Sequence, residues 1–167
     1  MAVTGELIDV VPAPRDVTLV LVTSDGRVIG ALPEFRVPVA WWPDAEAVVA
    51  AARERFGVEV TILRLLRAER PSPPGGAVTY LAEVSLPLPA GFAAERWNGT
   101  LDEQSLRQSW ARPGGPAGDL AWADSVLRDR GLERAGEAQQ IRTWNLSALW
   151  RLPLRDDVAW LKVVPPF

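Results

Sequence analysis

The sequence predicts an α+β protein: a mixed sheet with packed helices, followed by a separate C-terminal β-hairpin. Three observations point there. Two β-branched runs flank Asp25-Gly26, a one-sided helical pattern occupies residues 43–57, and two strand-like runs, IRTWNLSALWRL and VAWLKVV, close the chain. At 167 residues and 48% hydrophobic, the chain is long enough for one real core with an appendage.

Residues 17–32, VTLVLVTSDGRVIGAL, read as a buried hairpin with a two-residue turn at Asp25-Gly26, because glycine accepts positive φ at little cost. In PDAEAVVAAARERFG, Asp44 is placed to cap a helix, Glu46 lies in its first turn and Gly57 stops it. Ala45, Val48, Val49, Ala52 and Phe56 recur at the spacing of one helical face. VEVTILRLLRAE and AVTYLAEVSL flank RPSPPGG, a loop that joins two strands. Residues 87–119 have no sustained period and read as irregular. Pro116 and Asp119 then open a second helix that runs through Arg130 and closes at Gly131. GGPAGD before it lacks the Lys-Ser/Thr of a phosphate-binding loop and reads as a turn and helix start. The closing strands, turned by PLRDD, form a second hairpin away from the first body.

Composition removes whole classes of chemistry. Without cysteine there is no disulfide framework or thiolate nucleophile. Without histidine there is no Ser-His-Asp triad and no zinc site of the usual type. Acid–base work must use Asp, Glu, Lys or Tyr80. The net charge is −3 without a basic cluster, so no nucleic-acid partner is expected. No apolar run reaches the roughly 20 residues that span a bilayer, so no membrane is expected either. Glu6 and Asp9 interrupt the apolar run a secretion signal needs, and a cytoplasmic location is the expectation.

The element order and the run DGRVIGALP…WWPDAEAVVAAARERFGVEV resemble the Nudix hydrolase fold over residues 15–110. That family's helix carries G-x5-E-x7-R-E-U-x-E-E-x-G-U, whose glutamates hold magnesium against a diphosphate. With its last glycine set on Gly57, Glu54, Gly57 and Val58 match, while Ala50 and Ala51 replace the Arg-Glu pair and Arg55 replaces a glutamate. Positions 51, 54 and 55 lie together away from the core face of the helix, and this ridge reads Ala, Glu, Arg. Magnesium prefers carboxylates and phosphates, so the resemblance implies a fold kept and a hydrolytic metal site lost, with Glu54 as its residue.

TWNLSALWRLPLRDDVAWLKVVPPF resembles the start of the small lobe of an aminoglycoside-phosphotransferase-like kinase, and ARPGGPAGDLAWAD resembles the linker helix of actinobacterial two-part members. By that resemblance Ser147 matches the loop serine, and Lys162, the only lysine, matches the strand lysine on the α- and β-phosphates. Asn145-Leu146 stands where a glycine-rich loop is usual. The implied organisation is a Nudix-like domain over 1–110, a linker with a helix over 111–137 and a truncated small lobe over 138–167. ATP and Mg belong to the longer protein, and no cofactor to this fragment. The accessory domain would sense a ligand or recruit substrate. Its partners would be a small-molecule ligand or the missing kinase domain, and free strand edges leave room for a homo-oligomer.

Three other readings stand beside this one. Glu46, Glu54 and, from elsewhere, Glu83 or Asp102 could hold metal in an active hydrolase with unorthodox ligands. Trp41, Trp42 or Trp97 could anchor a protein-interaction module. Lys162 could guard an edge strand against pairing.

Overall fold

A computed structural model describes residues 13–102 and 104–166. Residues 1–12, with Glu6 and Asp9, lie outside the described residues, as do Glu103 and Phe167. The elements run β1 (Arg15–Val22), β2 (Val28–Ala31), β3 (Phe35–Val37), α1 (Glu46–Phe56), β4 (Val60–Ala68), β5 (Gly76–Val84), α2 (Gly115–Asp129), β6 (Gln139–Trp144), β7 (Ser147–Pro153) and β8 (Val158–Val163). The protein is α+β. Among the described residues, no helix is long and apolar enough to cross a membrane.

The first sheet has the order β2-β1-β5-β4, with β3 continuing the β2 edge along the start of β1. β1 and β5 are parallel from Arg15 opposite Gly76 to Val22 opposite Glu83, while β4 returns antiparallel to β5. Parallel neighbours need a long crossover, and β2, β3, α1 and β4 supply it. The first hairpin closes around Asp25-Gly26 by a loop longer than two residues: the Thr23 N–H donates to the Arg27 carbonyl at 3.0 Å and the Gly26 N–H to the Thr23 carbonyl at 2.8 Å.

Both faces of this sheet are covered. Val17, Leu19 and Leu21 face a core shared with Phe35, Val48, Ala52, Ile62 and Tyr80, which lies beneath α1. Val20 and Val22 face the opposite way, onto Leu63 and Leu81, with Trp97 and Leu101 packed outside them. The stretch without a period therefore serves as the cover of the second face. It is held by a bridge between Ala31 and Glu95, and it passes so close to Gly30, at φ +152°, that a Cβ there would lie 2.5 Å from the Glu95 carbonyl oxygen.

α1 follows its sequence pattern. The Asp44 carboxylate accepts the Ala47 N–H at 3.1 Å, Val48 and Ala52 are buried, and Gly57 ends the helix at φ 66°.

The C-terminal region is a three-stranded meander, β6-β7-β8, rather than a two-stranded hairpin. Asn145-Leu146 breaks the first expected strand into β6 and β7, so Trp144 pairs with Ser147 across a two-residue turn. α2 covers one face, burying Ala123 and Leu127 against Ala148, Trp150, Leu152 and Leu161. Nor does this sheet stand apart from the body. The Gln140 side-chain amide donates to the Ile62 carbonyl at 2.7 Å and accepts the Ile62 N–H at 2.8 Å, imitating a strand partner at the free edge of β4. The Ala45 N–H donates to the Ile141 carbonyl at 3.1 Å, and the Thr143 N–H to the Pro43 carbonyl at 3.0 Å. β6 is thus clamped between β4 and the entry to α1.

Candidate functional site

Only Glu54 and Arg55 of the α1 ridge lie away from the core as its spacing predicts, and its groups are not a metal cage. Glu54 is exposed and Ala51 packs against the core. The Arg55 guanidinium donates to the Arg36 carbonyl at 3.1 Å and stands 5.9 Å from the Phe35 ring centroid, so it ties α1 to β3. The other carboxylates weighed as ligands are spread out. Glu83 accepts the Gly114 N–H at 2.6 Å, Asp102 pairs with Arg107 at 3.0 Å, and Glu46 opens α1. Among the described residues, no three His, Cys, Asp or Glu side chains come together as metal ligands.

Tyr80 is the nearest group to a buried acid–base centre. Its hydroxyl donates to the Trp42 carbonyl at 2.9 Å and accepts from Arg15 at 3.1 Å. Burial pushes the phenol above its ordinary value, and the Arg15 charge only partly opposes this. It stays neutral near pH 7. Arg15 is itself fully buried, donating to the Val39, Trp42 and Asp44 carbonyls and lying 3.6 Å from the Asp44 carboxylate. This cluster pins the 39–44 segment over β1 and β5, with the Arg15 Nη2 left without a hydrogen-bond partner beside the Asp44 carboxylate.

Trp42, expected as an exposed anchor, is instead core. It is 4% exposed and donates its Nε1–H to the Gly75 carbonyl at 2.9 Å. Trp97 packs on the second core, and only Trp41 of the three projects, at 49% exposed. Trp122 and Trp160, which no pattern singled out, are exposed at 63% and 56%.

Ser147 and Lys162 lie on one face. Leu149 pairs directly with Lys162, and Ser147, two residues from Leu149, is its diagonal neighbour on the same side of the sheet. This is the face opposite α2. It also carries Arg142, Arg151 and Trp160, all exposed, with Arg142 opposite Leu149 and Arg151 opposite Trp160. The arrangement is an open, cationic sheet surface with an indole at one end, chemically suited to phosphate groups and a flat ring.

Sequence reasoning also missed a cavity at the junction. Arg64 on β4, Arg107 in the irregular stretch and Thr143 on β6 line it together. They are far apart in the chain, and no spacing links them.

No family model, no curated protein and no solved structure matches this chain.

Proposed function

We propose that the N-terminal body is a Nudix-like accessory module without hydrolytic activity, and that β6-β7-β8 begins the small lobe of an aminoglycoside-phosphotransferase-like kinase. In that longer protein Lys162 neutralises the α- and β-phosphates of ATP bound with Mg, and Ser147 sits at the phosphate loop. The observation that carries this reading is the shared open face of Ser147 and Lys162, flanked by Arg142 and Arg151. The non-hydrolytic half is supported by the α1 ridge, where Arg55 is occupied by Arg36 and Phe35 and Glu54 belongs to no group of three His, Cys, Asp or Glu side chains among the described residues. A cation at that position opposes metal binding.

A second reading has its own observation. β8 is an edge strand of its sheet, so an exposed lysine on it also blocks pairing with another strand.

The reading is tested in two assays. The chain alone, with Mg, is offered a broad panel of nucleoside diphosphate derivatives, and no turnover is expected. The chain extended through the reading frame beyond Phe167 is offered MgATP and small alcohol acceptors, and phosphoryl transfer is expected. Metal-dependent hydrolysis that disappears in Glu54→Gln overturns the first half, and absence of transfer across the acceptor panel overturns the second.

A further inference from the structure

The cavity at the junction holds about 280 Å³, close to the lower end of small-molecule pockets, which run from roughly 300 to 1,000 Å³. Its walls come from three separate parts of the chain: the β4 edge, the 104–111 segment and the end of β6. Trp110 helps to fix this geometry, donating its Nε1–H to the Trp144 carbonyl at 3.0 Å.

Two features mark the interior. Arg64 and Arg107 have side chains only 12% and 16% exposed, yet they share one described carboxylate. Asp102 lies 3.0 Å from Arg107 and 4.0 Å from Arg64, and is itself 59% exposed. Among the described residues, two largely buried guanidiniums face one solvated carboxylate, an excess of positive charge. Burial and the charge of Arg107 accordingly hold Arg64 below its ordinary value. Among the described lining residues of this cavity there is no carboxylate.

The second feature is independent. Thr143 is 4% exposed, lines the cavity, and its hydroxyl has no hydrogen-bond partner. Buried hydroxyls are ordinarily paired, so this one leaves a hydrogen bond open to a group that the Thr143 side chain turns to meet. Trp144 adds a half-buried indole, and Gln108 and Asn145 add amides. Arg64 and Arg107 also wall an open groove of about 730 Å³, where Arg112 joins them and Asp25 and Asp102 supply the opposing carboxylates.

We propose that this cavity binds a small ring compound bearing a phosphate or carboxylate group, with the oxyanion on Arg64 and Arg107, a polar atom on the Thr143 hydroxyl and the ring against Trp144. Guanidinium donors match either oxyanion in paired fashion, and the indole supplies a flat apolar wall. The site would give the accessory module its ligand and the class that ligand belongs to. It rests on the reading of the body as a binding rather than a hydrolytic module.

The test is titration of the chain with phenyl phosphate, benzoate and inorganic phosphate, followed by calorimetry and by the fluorescence of Trp110 and Trp144. Saturable binding of phenyl phosphate or benzoate is expected, tighter than that of inorganic phosphate. Arg107→Gln should weaken it about tenfold, the size of one lost charged hydrogen bond. Thr143→Val is the discriminating variant. Removal of an unpaired buried hydroxyl should raise the melting temperature while weakening binding about threefold to tenfold, and a purely structural threonine does not produce that opposition. No saturable binding of any probe at millimolar concentration overturns the site, as does an affinity unchanged in both variants. Equal affinity for phenyl phosphate and inorganic phosphate removes Trp144 from it. The two readings fail apart: missing binding with no hydrolysis sinks the cavity alone, whereas Mg-dependent hydrolysis lost in Glu54→Gln sinks the accessory reading and leaves the cavity's affinities as measured.

Discussion

The two sheets of this protein solve the same packing problem differently. The N-terminal sheet is covered on both faces, with β1 buried from Leu19 to Val22 on either side, and its buried charge, Arg15, is taken up by three backbone carbonyls. The C-terminal sheet has one face under α2 and leaves Lys162, Arg142, Arg151 and Trp160 in solvent on the other. A sheet sealed on both sides is a scaffold, while a sheet open on one side has a surface to offer.

Substitutions should separate the two regions in a graded way. Arg15→Met should be the most damaging, costing about 3–5 kcal/mol, because it leaves three carbonyls and the Tyr80 hydroxyl short of their buried donor. Chemical denaturation measures it, and a loss under about 1 kcal/mol would show that the body does not depend on this cluster. Leu161→Ala should cost about 2–4 kcal/mol by opening a cavity under α2. Hydrogen exchange should then rise in β7 and β8 while β1 and β5 stay protected. Equal loss of protection in both sheets would mean they form one cooperative unit.

Gln140→Leu addresses the clamp between the regions. It keeps the side chain's bulk but removes both bonds to Ile62, and about 1–3 kcal/mol should be lost. An unchanged denaturation midpoint would show that β6 is held mainly by its bonds to Pro43 and Ala45.

The smallest effect concerns pH. A two-pronged hydrogen bond from Arg134, at 2.6 and 2.7 Å, holds the Asp124 carboxyl below its ordinary value, with burial opposing. Its folded-state value is therefore below its unfolded one. The stabilisation is present above about pH 4 and is lost as pH falls through the folded value. For a partly exposed pair it amounts to under about 1 kcal/mol. Asp124→Asn should remove this part of the acid sensitivity, and an acid limb identical to that of the parent protein would assign it elsewhere.

What could be read from the sequence follows from how local each signal is. α1 was legible because Asp44, Val48, Ala52 and Gly57 state its cap, face and end within fifteen residues. The place of the Asp25-Gly26 turn was legible for the same reason. β3 was not, since a three-residue strand between Pro33 and Pro38 is too short for its alternation to stand out. The β6–β7 turn was hidden because Asn145-Leu146 carries no glycine and apolar residues continue on both sides. The covering role of Trp97 and Leu101, and the way Gln140 imitates a strand, depend on partners tens of residues away. Of the candidate site, Ser147 and Lys162 were found by resemblance, and their common face follows from the register. Arg64, Arg107 and Thr143 meet only in three dimensions.

The central claim is that the open face of the C-terminal sheet handles phosphate through Lys162. The most direct measurement is phosphoryl transfer from MgATP in the extended chain, with Lys162→Met and Ser147→Ala compared beside their stabilities. Methionine keeps the length of an exposed side chain, so the fold should persist while transfer falls by orders of magnitude. Ser147→Ala should do less, because a hydroxyl adds one neutral hydrogen bond where the lysine adds a charged one about twice as strong. Transfer unchanged in Lys162→Met, together with increased aggregation, would contradict the claim and assign the lysine to guarding the β8 edge.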